Sequence, residues 1–193
     1  MTLSDLITTV RIVLSPIFFL VFFSPEWFGT SATFTIVFLW VLFIIMEFSD
    51  LFDGYFARKL KQVSETGKLM DPFADSISRL TYFICFVGFN LMPLWIFILV
   101  LYRDVSVAFI RLIVSRKGIT MSARVSGKLK AWVYAFAGVG GLVVTSLQRL
   151  NIFKSIIPQS KAVLFILFFV AAGIAIWSLL DYTSVLWKKD KKH

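Results

Sequence analysis

The chain has 193 residues, 59 % of them hydrophobic and only 16 % charged, where soluble domains carry about 25 % charged residues. That balance excludes a water-soluble globular protein. The net charge of +9 comes without any RNA- or DNA-binding motif, which excludes nucleic acid as a partner, and the only cysteine, Cys85, excludes an internal disulfide and reads as a small buried hydrophobe.

Several windows of about 18 or more residues are predominantly apolar, the length that crosses roughly 30 Å of hydrocarbon. They predict a single all-α integral membrane domain over residues 1–193 with six transmembrane helices. The first span covers residues 6–23, with Ser4 and Asp5 as an N-cap and Ser24-Pro25-Glu26 as its end. A signal peptide is excluded there because Arg11 interrupts the apolar run and no small-x-small cleavage site follows. The second span covers 31–48 and continues as helix to 59, and residues 59–68 form a polar turn. The third helix runs over 69–90, and Leu91-Met92-Pro93 reverses the chain into a fourth over 94–114. A basic loop over 116–130 leads to the fifth span, 131–147. A connection over 149–161 with Pro158 as a breaker leads to the sixth, 162–186, and a basic tail.

Six spans put both termini on one side, together with the 59–68 and 116–130 connections. That side carries Lys59, Lys61, Lys68, Arg116, Lys117, Arg124, Lys128, Lys130 and the tail lysines, against Arg149, Lys154 and Lys161 opposite. The excess of basic residues predicts that this side faces the cytoplasm in an inner cell membrane, and that the charge also attracts anionic headgroups of membrane lipids.

Chemistry concentrates in residues 50–75, which read Asp50-Leu-Phe-Asp53-Gly54-Tyr-Phe-Ala57-Arg58, then eight residues, then Gly67-Lys-Leu-Met-Asp71-Pro-Phe-Ala-Asp75. On helices Asp50 and Asp53 are i,i+3 and Asp71 and Asp75 are i,i+4, so each pair shares a face. Two adjacent helices can then aim four carboxylates into one gap, a hard-oxygen set suited to Mg²⁺ or Mn²⁺, which complete their shells with water and phosphate. Gly54 bares a patch of helix for a nucleotide, and Arg58, one turn on, suits a phosphate or a carboxylate. Arg11, Arg103, Asp104 and Arg111 fall inside apolar spans, and ionisable groups at membrane depth mark functional sites or cavities. Snorkelling toward the interface is the alternative for Arg11. Arg103 and Arg111 share a helix face, with an acid from another helix as the expected partner of Arg103. Asp181 in the last span has no role on these grounds.

The spacing D-x2-D-G-x2-A-R-x8-G-x3-D-x3-D, filled at every fixed position, resembles the signature of the CDP-alcohol phosphatidyltransferase family. Thr8-x2-Arg11, Asp71-Pro72-Phe73-Ala74-Asp75, Arg103-Asp104-x6-Arg111 and Gly127-Lys128-Leu129-Lys130 narrow the resemblance to phosphatidylglycerophosphate synthases, over most of residues 5–130. Asp5, Ser76 and Ala131 depart from the residues usual there. The resemblance implies the family's six-helix phosphotransferase fold, a homodimer, and Mg²⁺- or Mn²⁺-dependent transfer of a phosphatidyl group from CDP-diacylglycerol to sn-glycerol 3-phosphate with release of CMP. It further implies that Asp50, Asp53, Gly54, Ala57, Arg58, Gly67 and Asp71 surround the CDP part and that Asp50, Asp53, Asp71 and Asp75 hold two metal ions. Asp75 is implied as general base, and Arg111 and Lys128, with Arg103 and Lys130, as the grip on the acceptor's phosphate. Other acceptors (inositol phosphate or serine), an intramembrane prenyltransferase and an ion transporter or channel are the competing readings. A transporter predicts charges spread across the membrane depth, whereas the acids here gather at one edge.

Overall fold

A computed structural model of the protein describes the backbone of residues 3–60, 65–116 and 125–190, and the side chains of 8–49, 70, 72–114 and 125–184. Among the described residues the chain forms six helices: α1 (Leu3–Phe28), α2 (Ala32–Leu60), α3 (Glu65–Gly88), α4 (Leu94–Arg116), α5 (Val125–Arg149) and α6 (Ile157–Asp190), with a 3-10 turn at Lys154–Ile156. Among the described residues four stretches are long and apolar enough to cross a membrane: Thr8–Phe28, Ala32–Ser49, Val125–Arg149 and Lys154–Ser184. The expected helix number is met, but two helices are less apolar than expected. α4 carries Arg103, Asp104 and Arg111 along its length, and α3 carries Asp75 and Arg79 in its first half.

Several boundaries differ from the sequence reading. Ser4 and Asp5 lie inside α1 rather than capping it. Pro25 does not end that helix: the Val21 carbonyl left free by its missing N–H accepts from Ser24 Oγ at 2.8 Å, and the helix stops only where Gly29 turns left-handed at φ 66°. Pro158 is the second residue of α6 and starts it rather than breaking it, since a first-turn N–H has no intrahelical partner. α3 begins at Glu65, so Gly67 lies in its first turn and not in the polar connection. α5 begins at Val125, which moves Gly127, Lys128 and Lys130 from the expected basic loop onto a helix. Lys117 and Arg124 lie outside the described residues. The reversal near Pro93 is as expected. Asn90 takes φ 56°, the Asn90 N–H reaches the Val87 carbonyl and the Leu91 N–H reaches that of Phe86 at 2.8 Å, a Schellman closure. Asn151 ends α5 the same way, with Ile152 N–H bonded to the Leu147 carbonyl.

The outward and inward faces are equally apolar, which is what lipid as solvent demands. On α2, Phe34, Val37, Phe38, Val41, Ile44 and Phe48 are exposed while Ile36, Leu39, Leu42, Phe43 and Met46 are buried. The core is a set of rings centred on α3. Tyr82 meets Phe43 of α2 at 5.4 Å, Phe83 meets Tyr134 of α5 at 5.4 Å and Phe168 of α6 at 5.9 Å, and Phe86 meets Phe22 of α1 at 6.2 Å. Cys85 is buried among them with a free thiol, as expected. Where interhelical hydrophobic attraction is weak, close approach of small residues supplies the packing, and α5 turns Ala137, Gly138 and Gly141 inward for it. A Cβ on Gly138 would stand 2.9 Å from Phe43, and one on Gly141 would overlap the Phe86 ring. Gly141→Ala is expected to destabilise the fold by roughly 1–3 kcal/mol, read as a lower unfolding temperature in detergent; an unchanged temperature would show that Phe86 moves aside freely.

At one end of the bundle, Arg149 at the close of α5 bonds Glu26 at the close of α1 at 2.8 Å, and its guanidinium lies 4.7 Å and 4.9 Å from the Phe22 and Phe89 rings. The short connections 29–31, 89–93 and 150–153 gather there. The polar residues of α3, α4 and α5 gather in the other half, and that segregation positions the site.

Candidate active site

Three helices bring their polar faces to one cleft. α3 contributes Pro72, Asp75, Ser76 and Arg79; α4 contributes Arg103, Asp104, Val107, Ala108 and Arg111; α5 contributes Gly127, Lys130 and Ala131. On each helix these positions recur at three- and four-residue spacing, so one stripe per helix faces the gap. The cavity volume is about 80 Å³, room for several waters or one phosphate-sized group. Four cations (Arg79, Arg103, Arg111, Lys130) face two carboxylates (Asp75, Asp104) along its wall, a surplus of two positive charges.

Buried charges require partners, and the partners define the architecture. Asp104 has a fully buried side chain, and its Oδ1 accepts from Arg103 Nη1 at 2.9 Å and from Lys130 Nζ at 2.7 Å. One carboxylate thus anchors two cations from two helices. Its Oδ2 has no hydrogen-bond partner among the described residues. Lys130 Nζ also lies 4.7 Å from the centre of the Tyr134 ring. At the rim, Asp75 Oδ1 pairs with Arg79 Nη2 at 2.9 Å; the Asp75 side chain is 26 % exposed and that of Arg79 only 4 %. The carboxylate therefore meets solvent while its guanidinium is held in the wall.

α6 closes the far side. Ser178 Oγ accepts from Arg103 Nη2 at 2.6 Å, Tyr182 Oη accepts from Arg111 Nη2 at 2.7 Å, and Asp181 Oδ2 accepts from Ser126 Oγ at 2.6 Å. Arg103 is thus paired with its own neighbour and with a serine of α6, not with an acid from another helix. The Ser126 hydroxyl gives Asp181, which the sequence left without a role, a place in the packing of α6 on α5.

Of the residues singled out from sequence, the structure brings Asp75, Arg103, Arg111 and Lys130 together in this cleft. Lys128 is exposed and does not line it. Arg11 is only 1 % exposed and Thr8 0 %, which overturns snorkelling for Arg11. The Arg11 carbonyl accepts from Ser15 at 2.8 Å, and Ser15 Oγ in turn lies 3.2 Å from Ser78 Oγ of α3. Asp50, Asp53, Gly54, Ala57 and Arg58 lie on the last turns of α2, and Gly67 and Asp71 on the first turns of α3; their side chains are outside the described residues. Among the described residues no three acids, histidines or cysteines group as a metal site. The helical backbone through 50–53 and 71–75 puts each pair of positions on one helix face, and Asp75 presents hard oxygen at the cavity, so four aspartates at these positions suit Mg²⁺ or Mn²⁺ in kind. Sequence reasoning missed Arg79, Ser126, Ser178 and Tyr182. Arg79 had a signal, one turn after Asp75; for the others Asp181 alone hinted that α6 carries a polar stripe.

The chain is similar to proteins of known name. It is 33 % identical over 79 % of its length, and 73 % of theirs, to the CDP-diacylglycerol–glycerol-3-phosphate 3-phosphatidyltransferase of Treponema pallidum. It is 35 % identical to the enzyme of that name from Bacillus subtilis, over 70 % of this chain and 73 % of that one. A third enzyme so named, form 2 of Arabidopsis thaliana, is 28 % identical over 97 % of this chain and 80 % of its own. The CDP-alcohol phosphatidyltransferase family matches residues 1–178. With four long apolar helical stretches among the described residues, this is a multi-pass membrane protein, and it belongs to the CDP-alcohol phosphatidyltransferase family.

Proposed function

We propose that this protein is a phosphatidylglycerophosphate synthase, joining CDP-diacylglycerol to sn-glycerol 3-phosphate with release of CMP. The observation that carries the acceptor is the cleft: a small cavity with two surplus positive charges beside Asp75. An acceptor bearing its own phosphate would neutralise that surplus, and free serine, with no net charge, would not. The names of the similar enzymes favour glycerol 3-phosphate over other phosphorylated alcohols.

In the reaction, the acceptor's hydroxyl oxygen forms a bond to the phosphatidyl phosphorus while the bond from that phosphorus to the bridging oxygen breaks, and the electron pair departs on CMP. The proton of the attacking hydroxyl passes to a carboxylate oxygen of Asp75. Arg79, 2.9 Å away, orients that carboxylate. Arg111, Arg103 and Lys130 take the acceptor's phosphate, which fixes the hydroxyl toward the rim; Lys128 serves only an approaching anion, from outside the cavity. Asp50, Asp53, Gly54, Ala57 and Arg58, on the last turns of α2, and Gly67 and Asp71, on the first turns of α3, surround the CDP part. Asp50, Asp53, Asp71 and Asp75 would hold two Mg²⁺ or Mn²⁺ ions, whose chemistry is to neutralise charge on the attacked and leaving phosphate oxygens. All six helices cross the bilayer, the acyl chains leave sideways between them, and the basic side with both termini and the site faces the cytoplasm. The working unit is a homodimer.

The test is CMP release by purified, lipid-reconstituted protein supplied with CDP-diacylglycerol and Mg²⁺, with glycerol 3-phosphate, inositol phosphate, serine and inositol each offered alone. Release driven by glycerol 3-phosphate, lost with chelator and in Asp71→Asn, is expected. Release with serine but not with glycerol 3-phosphate would sink the acceptor assignment.

A further inference from the structure

α6 reaches the cleft through residues that belong to none of the motifs above. Ser178 and Tyr182 are four apart, on one helix face, and both are completely buried. Their hydrogen-bond partners are the two arginines of α4 that face the cavity, Arg103 at 2.6 Å and Arg111 at 2.7 Å. The Tyr182 ring also underlies both guanidiniums, 5.2 Å from Arg111 Cζ and 5.8 Å from Arg103 Cζ, within cation–π reach. The phenol gets there because residue 127 is glycine: a Cβ at that position would stand 3.1 Å from Tyr182 Oη. Ser126, the neighbour of that glycine, donates to Asp181 and locks the register of α6 against α5.

The chemical identity of the groups decides what this arrangement does. A carboxylate facing Arg111, as Asp104 already faces Arg103 at 2.9 Å, would cancel its charge. A phenol oxygen and a ring face hold a guanidinium in place while leaving its full positive charge available. We propose that Tyr182, assisted by Ser178, is the positioning residue of the acceptor site: it holds Arg111 and Arg103 fanned toward the cavity, preorganised for the phosphate of the acceptor alcohol. Preorganisation lowers the ordering cost of binding, so Tyr182 governs affinity for the phosphorylated acceptor and leaves the handling of the nucleotide lipid alone. The inference rests on the reading of the cleft as the acceptor site, and its test is built to separate the two.

Tyr182→Phe keeps the ring and removes the oxygen. In the reconstituted full-length enzyme its KM for glycerol 3-phosphate is expected to rise roughly ten-fold, the scale of one hydrogen bond to a charged group, with kcat and the KM for CDP-diacylglycerol little changed. A purely structural role predicts both KM values unchanged, or both raised with a lower unfolding temperature, and either result overturns the proposal. The second measurement needs no turnover: inorganic phosphate, with chelator present and no CDP-diacylglycerol, is titrated against the unfolding temperature. Phosphate should stabilise the wild type, and stabilise Tyr182→Phe at about ten-fold higher concentration. If the wild type prefers a phosphate-free alcohol yet this shift still depends on Tyr182, the acceptor assignment fails and the positioning role stands. No stabilisation of the wild type, or equal stabilisation of both proteins, overturns it. Should Tyr182→Phe fail to fold, Ser178→Ala carries the same titration on the Arg103 arm, and an unshifted response there sinks the proposal.

Discussion

Asp75→Asn is expected to lower CMP release by about 10²- to 10⁴-fold, the usual contribution of a general base, while CDP-diacylglycerol still binds. The substitution is nearly isosteric, and an amide oxygen can still accept from Arg79, whose Nη2 lies 2.9 Å from Asp75 Oδ1. What it removes is the capacity to take a proton. Because Asp75 is also assigned to the metal set, the measurement is made over a range of Mg²⁺ concentrations. Activity that stays low at saturating Mg²⁺ identifies loss of the base, and activity that returns with Mg²⁺ assigns Asp75 to metal binding alone. Near wild-type turnover at ordinary Mg²⁺ would remove it from both roles.

Asp104→Ala should be the most damaging change to the fold itself. Two cations from two helices converge on Asp104 Oδ1, Arg103 at 2.9 Å and Lys130 at 2.7 Å, and all three side chains are at most 6 % exposed. Removing the one anion leaves two buried positive charges facing each other. Breaking a buried pair from one side costs about 3–5 kcal/mol, which in a chain of this size lowers the unfolding temperature on the order of 10 °C. Lys130→Met in the same protein should recover part of the loss, because it removes one of the stranded charges. If Asp104→Ala alone unfolds within a degree or two of wild type, water reaches the triad and the cavity is wetter than its walls suggest.

The acidic motif was legible before any coordinates because its information is local: the offsets 50, 53, 71 and 75 fix which carboxylates share a helix face whatever surrounds them. Helix ends were less legible. Pro25 and Pro158 both read as terminators, yet a first-turn proline such as Pro158 lacks only an N–H with no intrahelical partner, and the Val21 carbonyl that Pro25 leaves free accepts from Ser24 Oγ at 2.8 Å. The basic segment before residue 131 read as a loop because its charges concealed a helical stripe, in which Gly127 and Lys130 face inward and Lys128 outward. Buried as an ion pair with Asp104, Lys130 does not behave as the surface charge its neighbours suggest.

Composition, apolar run length and motif spacing by themselves determined the membrane class, the six helices and the pairing of four carboxylates at helical spacing, since each follows from a period or a count along the chain. Only the tertiary structure decided that Ser178 and Tyr182 stand behind Arg103 and Arg111, that Asp181 takes a hydroxyl from Ser126, and that Arg79 holds Asp75. α6 is apolar on every side, so no periodicity marks which of its few polar residues face inward. That choice is made by how closely α6 can approach α4 and α5, and the approach depends on residues more than fifty positions away, first among them Gly127, whose missing Cβ leaves room for the Tyr182 hydroxyl.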